Sequence, residues 1–496
     1  MSVINKTIQS NKTYTYTLDS IPDVTTDDWY IKKVNSSNIN FKFGIRENRR
    51  SFSLTCTNGK ETTYSNVEIS ITIGFRNTTG PTRTDKTIST IWNIKVTAPR
   101  LPFIIKNTKA GQDITFSITK NGSVALDYNY YIGDISDTMP DTSLYTNQTE
   151  TKTFDIPNGK ALYLYSDTMT ALGDYNSYTQ FNSNFDFDIA GSLMGMLKHG
   201  TRPYFRKLFS GCTGLTSIPE NLLPSTEITY SSYERMFQGC TGLTSIPENL
   251  LPATYLYNGC YDGMFVGCTG LTSIPENLLP ATEIGPNCYK SMFSGCTGLT
   301  SIPENLLPAT NLKGNCYMSM FSGCTGLTSI PENLLPATEI EQSCYGSMFW
   351  GCTGLTSIPE NLLPATHLVY NYCYEGMFGE CTGLTSIPEN LLPATTLTSR
   401  CYCEMFRKCS GLTKGPNLPA TKLTDDCYKY MFDECTKLNY IKVMTLDPLG
   451  NNTGGWLSSV SATGTAVVNA NATWVSEMTR NGSTIPEGWT IVTATD

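Results

Sequence analysis

Met264-Phe-Val-Gly-Cys-Thr-Gly-Leu-Thr-Ser-Ile-Pro-Glu-Asn-Leu-Leu-Pro-Ala-Thr282 decides the fold, because the chain repeats it. A short variable run and the pair Cys288-Tyr289 lead to Met292-Phe293, where the unit opens again. Phe209, Phe237, Phe265, Phe293, Phe321 and Phe349 are spaced 28 residues apart; Phe378, Phe406 and Phe432 follow at 29, 28 and 26, and a one-residue insertion near Tyr372 accounts for the 29. Self-similarity at such a period marks a solenoid, in which one unit cannot bury its apolar face alone and neighbouring units stack into a continuous core.

Within a unit, Tyr261, Met264, Phe265 and Cys268 fall at i, i+3, i+4 and i+7, which predicts a short helix with its apolar stripe inward. Asn287, Asn315, Ser343 and Asp426 directly precede the repeat cysteine, where a side-chain oxygen would cap that helix. Leu271-Thr-Ser-Ile274 predicts a strand, stopped by Pro275, which has no N–H for a ladder. Stacked at about 4.8 Å per strand, nine such coils would make a rod on the order of 40 Å long.

Outward from the repeats the pattern changes. Residues 1–98 alternate with period 2 in Tyr14 to Leu18, Ile39 to Phe43 and Val67 to Phe75, the mark of half-buried strands, and predict a β-sandwich. Pro99-Arg-Leu-Pro102 reads as a linker within a second sandwich unit, 99–188, with strands at Ile114 to Ile118 and Ala161 to Tyr165. Residues 189–204 are expected to cap the solenoid, 205–445 to form it, and 446–496, with Trp456, Trp474 and Trp489, to cap its other end, because bare solenoid ends expose core and strand edges. The expected class is mainly β with short helices: N-terminal sandwiches, a right-handed repeat solenoid and a small C-terminal cap.

Composition bounds the function. Charged residues are 16% of the 496, below the roughly 25% of average domains, and the net charge of −8 offers no basic stripe for phosphates, so neither nucleic acid nor an anionic membrane is an expected partner. Nothing at Met1-Ser-Val-Ile-Asn-Lys-Thr-Ile8 reads as a secretory signal, and no run approaches the roughly 20 apolar residues that span a bilayer.

The cysteines form two files, one through Cys212, Cys268 and Cys435, the other through Cys260, Cys316 and Cys427. Their spacings of 8 and 20 match no zinc pattern, and thiols acting as small buried fillers are the expectation. Glu220, Glu248, Glu276, Glu304, Glu332, Glu360 and Glu389 form a third file, read either as solvated carboxylates or as a string of weak calcium sites; no other cofactor or metal is expected. The accompanying asparagines, Asn249 and Asn277 among them, are expected to hydrogen-bond backbone at the turn. His199 and His367 are the two histidines, neither in a catalytic motif, and no carboxylate pair stands apart from the repeats, so no catalytic residue is nominated.

Copies differ at few places. Leu-Thr-Ser-Ile-Pro-Glu-Asn-Leu-Leu-Pro recurs unchanged in seven coils, while the residue after Phe and the loop after Ala-Thr vary. Tyr255, Tyr257, Asn258, Lys313, Trp350, His367 and Tyr370 lie at these variable positions and form the candidate ligand-contact stripe, the aromatics serving as platforms for sugar rings or protein. Drift at exposed positions is the competing reading.

The tract Phe-x-Gly-Cys-Thr-Gly-Leu-Thr-Ser-Ile-Pro, with Leu-Pro-Ala-Thr-x-Leu and Cys-Tyr-x-x-Met-Phe, resembles the BspA-like leucine-rich repeats of bacterial surface proteins, especially versions encoded by phages and prophages of gut bacteria. Flanking stretches such as Ile156 to Tyr165 and Ile485 to Trp489 extend the resemblance over roughly residues 100–496, and residues 1–98 faintly resemble Ig-like or BACON-type modules. The resemblance implies adhesion without catalysis. Lacking the export signal usual in bacterial members, the chain is expected on a phage virion surface, as capsid decoration or head fibre ahead of tail attachment. Its N-terminal modules would dock to other virion proteins and its repeats would meet host-surface or mucosal glycans, or a protein, with a homo-oligomer as one arrangement. A bacterial cell-surface adhesin and a purely structural virion protein are the alternatives.

Overall fold

The computed structural model describes residues 102–494 apart from short breaks (109–110, 137–139, 167, 170, 175, 184, 199–201 and 478–484) and, within residues 1–100, the backbone of seven strands. Residues 1–100 and 101–496 form two compact units.

The first unit holds β1 (Val3–Gln9), β2 (Thr13–Thr17), β3 (Trp29–Ser36), β4 (Phe41–Ile45), β5 (Ser51–Cys56), β6 (Thr62–Phe75) and β7 (Lys86–Thr97). They make a four-stranded sheet in the order β1-β7-β6-β3, with β1 parallel to β7, and a three-stranded antiparallel sheet, β2-β5-β4. The alternating runs of the sequence overlap β2, β4 and β6.

The second unit opens with β8 (Phe103–Lys106), β9 (Ile114–Asn121), β10 (Tyr128–Asp134), β11 (Thr146–Gln148), β12 (Lys152–Ile156), β13 (Lys160–Tyr165), β14 (Tyr178–Asn182) and β15 (Asp188–Gly191). A five-stranded sheet, β11-β10-β13-β8-β15, and a three-stranded sheet, β12-β9-β14, bury Phe103, Phe116, Leu162 and Phe181 in a core that runs on without interruption into the repeats. Phe181 stands 28 residues before Phe209, with ring centroids 5.5 Å apart, and Phe181 N–H donates to Leu208 O as Phe209 N–H donates to Met236 O. Further along, Phe187 N–H donates to Gly214 O and Leu193 N–H to Leu222 O. Residues 178–198 are therefore already a coil of the stack, and the segment read as a cap, 189–204, begins inside it.

The repeats form a solenoid of about nine turns. The expected helices are absent among the described residues. From Gly259 to Cys268 the chain makes successive tight turns: Met264 N–H donates to Tyr261 O (3.2 Å), Val266 to Gly263 (3.1 Å) and Cys268 to Phe265 (3.1 Å). The intervening N–H groups leave the coil, Tyr261 donating to Cys288 O (3.0 Å), Gly263 to Lys290 O (2.8 Å), Phe265 to Met292 O (2.9 Å) and Gly267 to Ser294 O (2.8 Å). An α-helix spends its N–H groups internally on i−4 carbonyls; here every second one serves the next coil. Every fourth residue has positive φ (Gly259 +67°, Gly263 +61°, Gly267 +69°), the sign a type II turn needs at its third position and one a right-handed helix cannot hold. The supposed caps Asn287, Asn315, Ser343 and Asp426 sit at this left-handed position, with φ of 57°, 59°, 54° and 54°.

The strand also lies elsewhere. Leu271 to Ile274 belongs to no strand, and the two-residue strands are β16 (Tyr255–Leu256) parallel to β17 (Glu283–Ile284), and β18 (Asn311–Leu312) parallel to β19 (Glu339–Ile340). Where the unit shortens to 26 residues, Lys414-Gly-Pro-Asn-Leu418 lacks two residues of Ser-Ile-Pro-Glu-Asn-Leu-Leu and straightens into β20 (Lys414–Leu418). A parallel sheet β20-β21-β22-β23 follows with β21 (Tyr440–Val443), β22 (Gly464–Val468) and β23 (Trp489–Thr493), so the C-terminal piece continues the stack. Trp456 closes the tyrosine file, 6.4 Å from Tyr428, while the indoles of Trp474 and Trp489 donate to Thr445 O and Ser461 O.

Inside, most columns are one residue type, and the inward strand position exchanges only Leu and Ile. Phenylalanine rings from Phe209 to Phe432 stack at 5.4–5.8 Å with planes within 3–9°, and the tyrosines from Tyr233 to Tyr428 at 5.6–6.1 Å. The described cysteines are buried free thiols. They do more than fill space: Cys268 Sγ donates to Phe237 O and Cys296 Sγ to Phe265 O, both at 3.1 Å. Each thiol thereby occupies the second lone pair of a carbonyl that already closes a turn, a weak donor where a hydroxyl would bring a stronger need for water.

Candidate functional site

The variable loop after Ala-Thr builds one edge of the solenoid. In β16 to β19 the first residue faces solvent and the second the core, the alternation of any strand, so Tyr255, Glu283, Asn311 and Glu339 point out while Leu256, Ile284, Leu312 and Ile340 point in. His367 continues the outward file, bridging to Thr396 in the next coil.

At the N-terminal end of this edge the structure gathers aromatic rings. Tyr255 is 55% exposed and meets Tyr257 (36%) edge-on, with centroids 5.1 Å apart and planes at 72°; Tyr230 (64%) lies 5.4 Å from Tyr257 at 52°. Glu283 is the register partner of Tyr255, and Asn287 Nδ2 donates to Asn258 Oδ1 at 3.3 Å. Tyr230 escapes a sequence reading because its loop, Thr229-Tyr-Ser-Ser-Tyr233, lacks the cysteine that marks the register elsewhere; aligned on Tyr233 and Tyr261, it occupies the place of Asn258.

Further along, Lys313 Nζ bonds Glu341 Oε1 at 3.0 Å while Gly314 N–H donates to the other carboxylate oxygen at 3.1 Å. The Glu341 carboxylate holds the Lys313 ammonium above its usual pKa, and the lysine serves its neighbour. Beyond, Val369 and Tyr370 project where the extra residue lengthens the loop, 70% and 47% exposed, and Thr398 Oγ1 donates to Tyr370 O at 2.6 Å. His367 is exposed, its Nδ1 2.9 Å from Thr366 Oγ1. His199 lies outside the described residues.

Trp350 is not on this edge. It follows Phe349, on the face formed by the tight turns, and packs half-buried against Gly376 and Gly379 of the next coil. Six of the seven stripe residues thus share the loop edge and the seventh braces two coils.

The glutamate file, Glu220 to Glu389, is exposed throughout, and among the described residues no group of three or more His, Cys, Asp or Glu side chains comes together as a metal site. The asparagine beside five of them is explained by backbone rather than side chain: Asn249, Asn277, Asn305, Asn333 and Asn361 have φ of 56–59°, the left-handed conformation that asparagine tolerates best after glycine. A shallow cleft lined by Thr115, Ser117, Asn182, Ser183 and Phe185 contains no titratable side chain. No family model, curated protein or solved structure matches the chain.

Proposed function

We propose that this chain is a non-enzymatic attachment protein whose solenoid displays one variable edge to a partner. The observation that carries the reading is the division of labour within each coil: most inward columns keep one residue type and the inward strand position exchanges only Leu and Ile, whereas the outward residues at 255, 283, 311, 339, 367 and 396 change from Tyr to Glu, Asn, Glu, His and Thr. A scaffold that holds its core constant and varies one ridge separates folding from recognition, as repeat proteins that bind partners do.

The likeness of the repeat tract to BspA-like leucine-rich repeats supports a role at a surface. In this reading the protein sits on a phage virion, with residues 1–98 as an Ig-like or BACON-like sandwich that anchors it to other virion proteins and the repeats meeting host-surface or mucosal glycans. Detection of the full chain in purified phage particles tests the virion assignment; finding it only on bacterial envelopes would replace that assignment with a bacterial adhesin. Probing a glycan array and host cells with the full chain, with Tyr257→Ala and Tyr370→Ala beside it, tests attachment. Wild-type chain that binds neither would leave a purely structural virion protein.

A further inference from the structure

We propose that Tyr230, Tyr255 and Tyr257, with Glu283, Asn258 and Asn287 around them, form a subsite for a neutral pyranose ring of a surface oligosaccharide. The inference rests on the attachment reading and narrows its ligand.

Three large exposed rings joined through Tyr257 are unusual on a protein surface, where apolar side chains are normally scattered. The planes at 72° and 52° make an open corner rather than a flat stack, so one ring can lie beneath a sugar while another stands beside it. A pyranose presents an apolar C–H face and a rim of hydroxyls that both donate and accept. The corner supplies the apolar contact, and tyrosine combines that with a polar tip. The rim is met by complementary chemistry: the Glu283 carboxylate accepts only, while the Asn258 and Asn287 amides, joined by one hydrogen bond, retain further donors and acceptors.

Charge selects among sugars. Glu283 is exposed beside the rings, and the one lysine in the neighbouring edge loops, Lys313, is paired with Glu341. A sialylated or sulfated glycan would bring its anion to an uncompensated carboxylate, whereas a neutral one would not. A quaternary ammonium is also drawn to aromatic faces and a carboxylate, but it has no use for the paired amides.

The test is a glycan array probed with the full chain, alongside Tyr230→Ala, Tyr257→Ala, Tyr257→Phe, Glu283→Gln and, as a control outside the edge, the exposed Leu446→Ala, each checked for an unchanged thermal midpoint. Neutral glycans should bind; Tyr257→Ala and Tyr230→Ala should each weaken binding by about tenfold, the loss of an aromatic anchor, Glu283→Gln and Tyr257→Phe should weaken it less, and Leu446→Ala should leave it near wild type. Undiminished glycan binding by Tyr230→Ala and Tyr257→Ala would overturn the subsite while leaving attachment standing. So would displacement by choline, a preference for acidic glycans, or host-cell adhesion by a chain that binds no glycan. If Tyr257→Ala alone unfolds, Tyr230→Ala and Glu283→Gln decide.

Discussion

The ring of Trp350 fills the space that a side chain on Gly379 of the next coil would need: a β-carbon there would stand 2.2 Å from Trp350 Cζ3. A β-carbon on Gly376 would stand 3.0 Å from the same ring, so the coil that follows the one aromatic residue in this column carries glycine at both places beneath it. Gly379→Ala is therefore expected to destabilise the chain by about 1–3 kcal/mol, the usual range for overpacking. In a Trp350→Ala background the same change should cost little, and a double-mutant cycle by denaturant unfolding measures the difference.

The glycine of each Cys-Thr-Gly is set by its neighbour's backbone. A β-carbon on Gly298 would meet Thr269 O at 2.5 Å and Leu271 O at 2.7 Å, carbonyls that cannot swing aside. Gly298→Ala should lower the thermal midpoint, whereas Gly314→Ala, whose β-carbon finds nothing nearer than 3.7 Å, should leave it close to wild type. Equal midpoints would show that the coils can slide apart more easily than their hydrogen bonds suggest.

The buried tyrosines raise a sharper question. Tyr317 stacks 5.8 Å from Tyr289 and 6.0 Å from Tyr345, yet its hydroxyl is buried without a hydrogen-bond partner in the protein. Removing an unpaired buried hydroxyl while keeping the ring removes a desolvation cost of about 1–3 kcal/mol. Tyr317→Phe is expected to match or exceed wild-type stability in urea, and Tyr317→Ala to lose about 3–5 kcal/mol for its cavity. A clear loss in Tyr317→Phe would mean that the hydroxyl is hydrogen-bonded through water.

Burial pushes the thiol pKa of Cys296 up to about 12 and that of Cys381 likewise to about 12, from an ordinary 9.0. A raised acid binds its proton more tightly when folded, so the associated stability is complete below pH 9 and declines as pH rises from about 9 towards 12. Stability should be flat from pH 7 to 8 and fall steeply above 9, and at pH 8 a thiol reagent should leave the repeat cysteines unmodified until denaturant is added. Rapid labelling of native protein would contradict the burial.

How much of this was legible follows from periodicities. The inward columns were readable because Phe, Tyr, Met, Cys and Leu recur at a fixed interval. The local conformation was not, because over Tyr261, Met264, Phe265 and Cys268 a period of 3.6 and a period of 4 give the same stripe. The discriminating residue was Cys260: with Tyr261 it makes an adjacent apolar pair, echoed by Met264-Phe265, which alternating turns bury and a helix does not require. Phe181 lay in step with the phenylalanine file but outside any recognisable motif, so the first coil went unseen. Among the contact residues, loop position foretold the exposure of Tyr255, Tyr257 and Tyr370, while Trp350 was misplaced because its neighbour's glycines, which make room for it, come a whole coil later.

Since every second turn-face amide reaches forward to the same carbonyl position of its successor, the junctions along the solenoid, apart from the one where Trp350 meets Gly379, share one pattern of backbone bonding. Recombination between two of the identical Leu-Thr-Ser-Ile-Pro-Glu-Asn-Leu-Leu-Pro tracts would delete or add whole units and leave matching surfaces at the seam. The length of the array, and the order in which its loops face the outside, can thus be reshuffled without redesigning the interior.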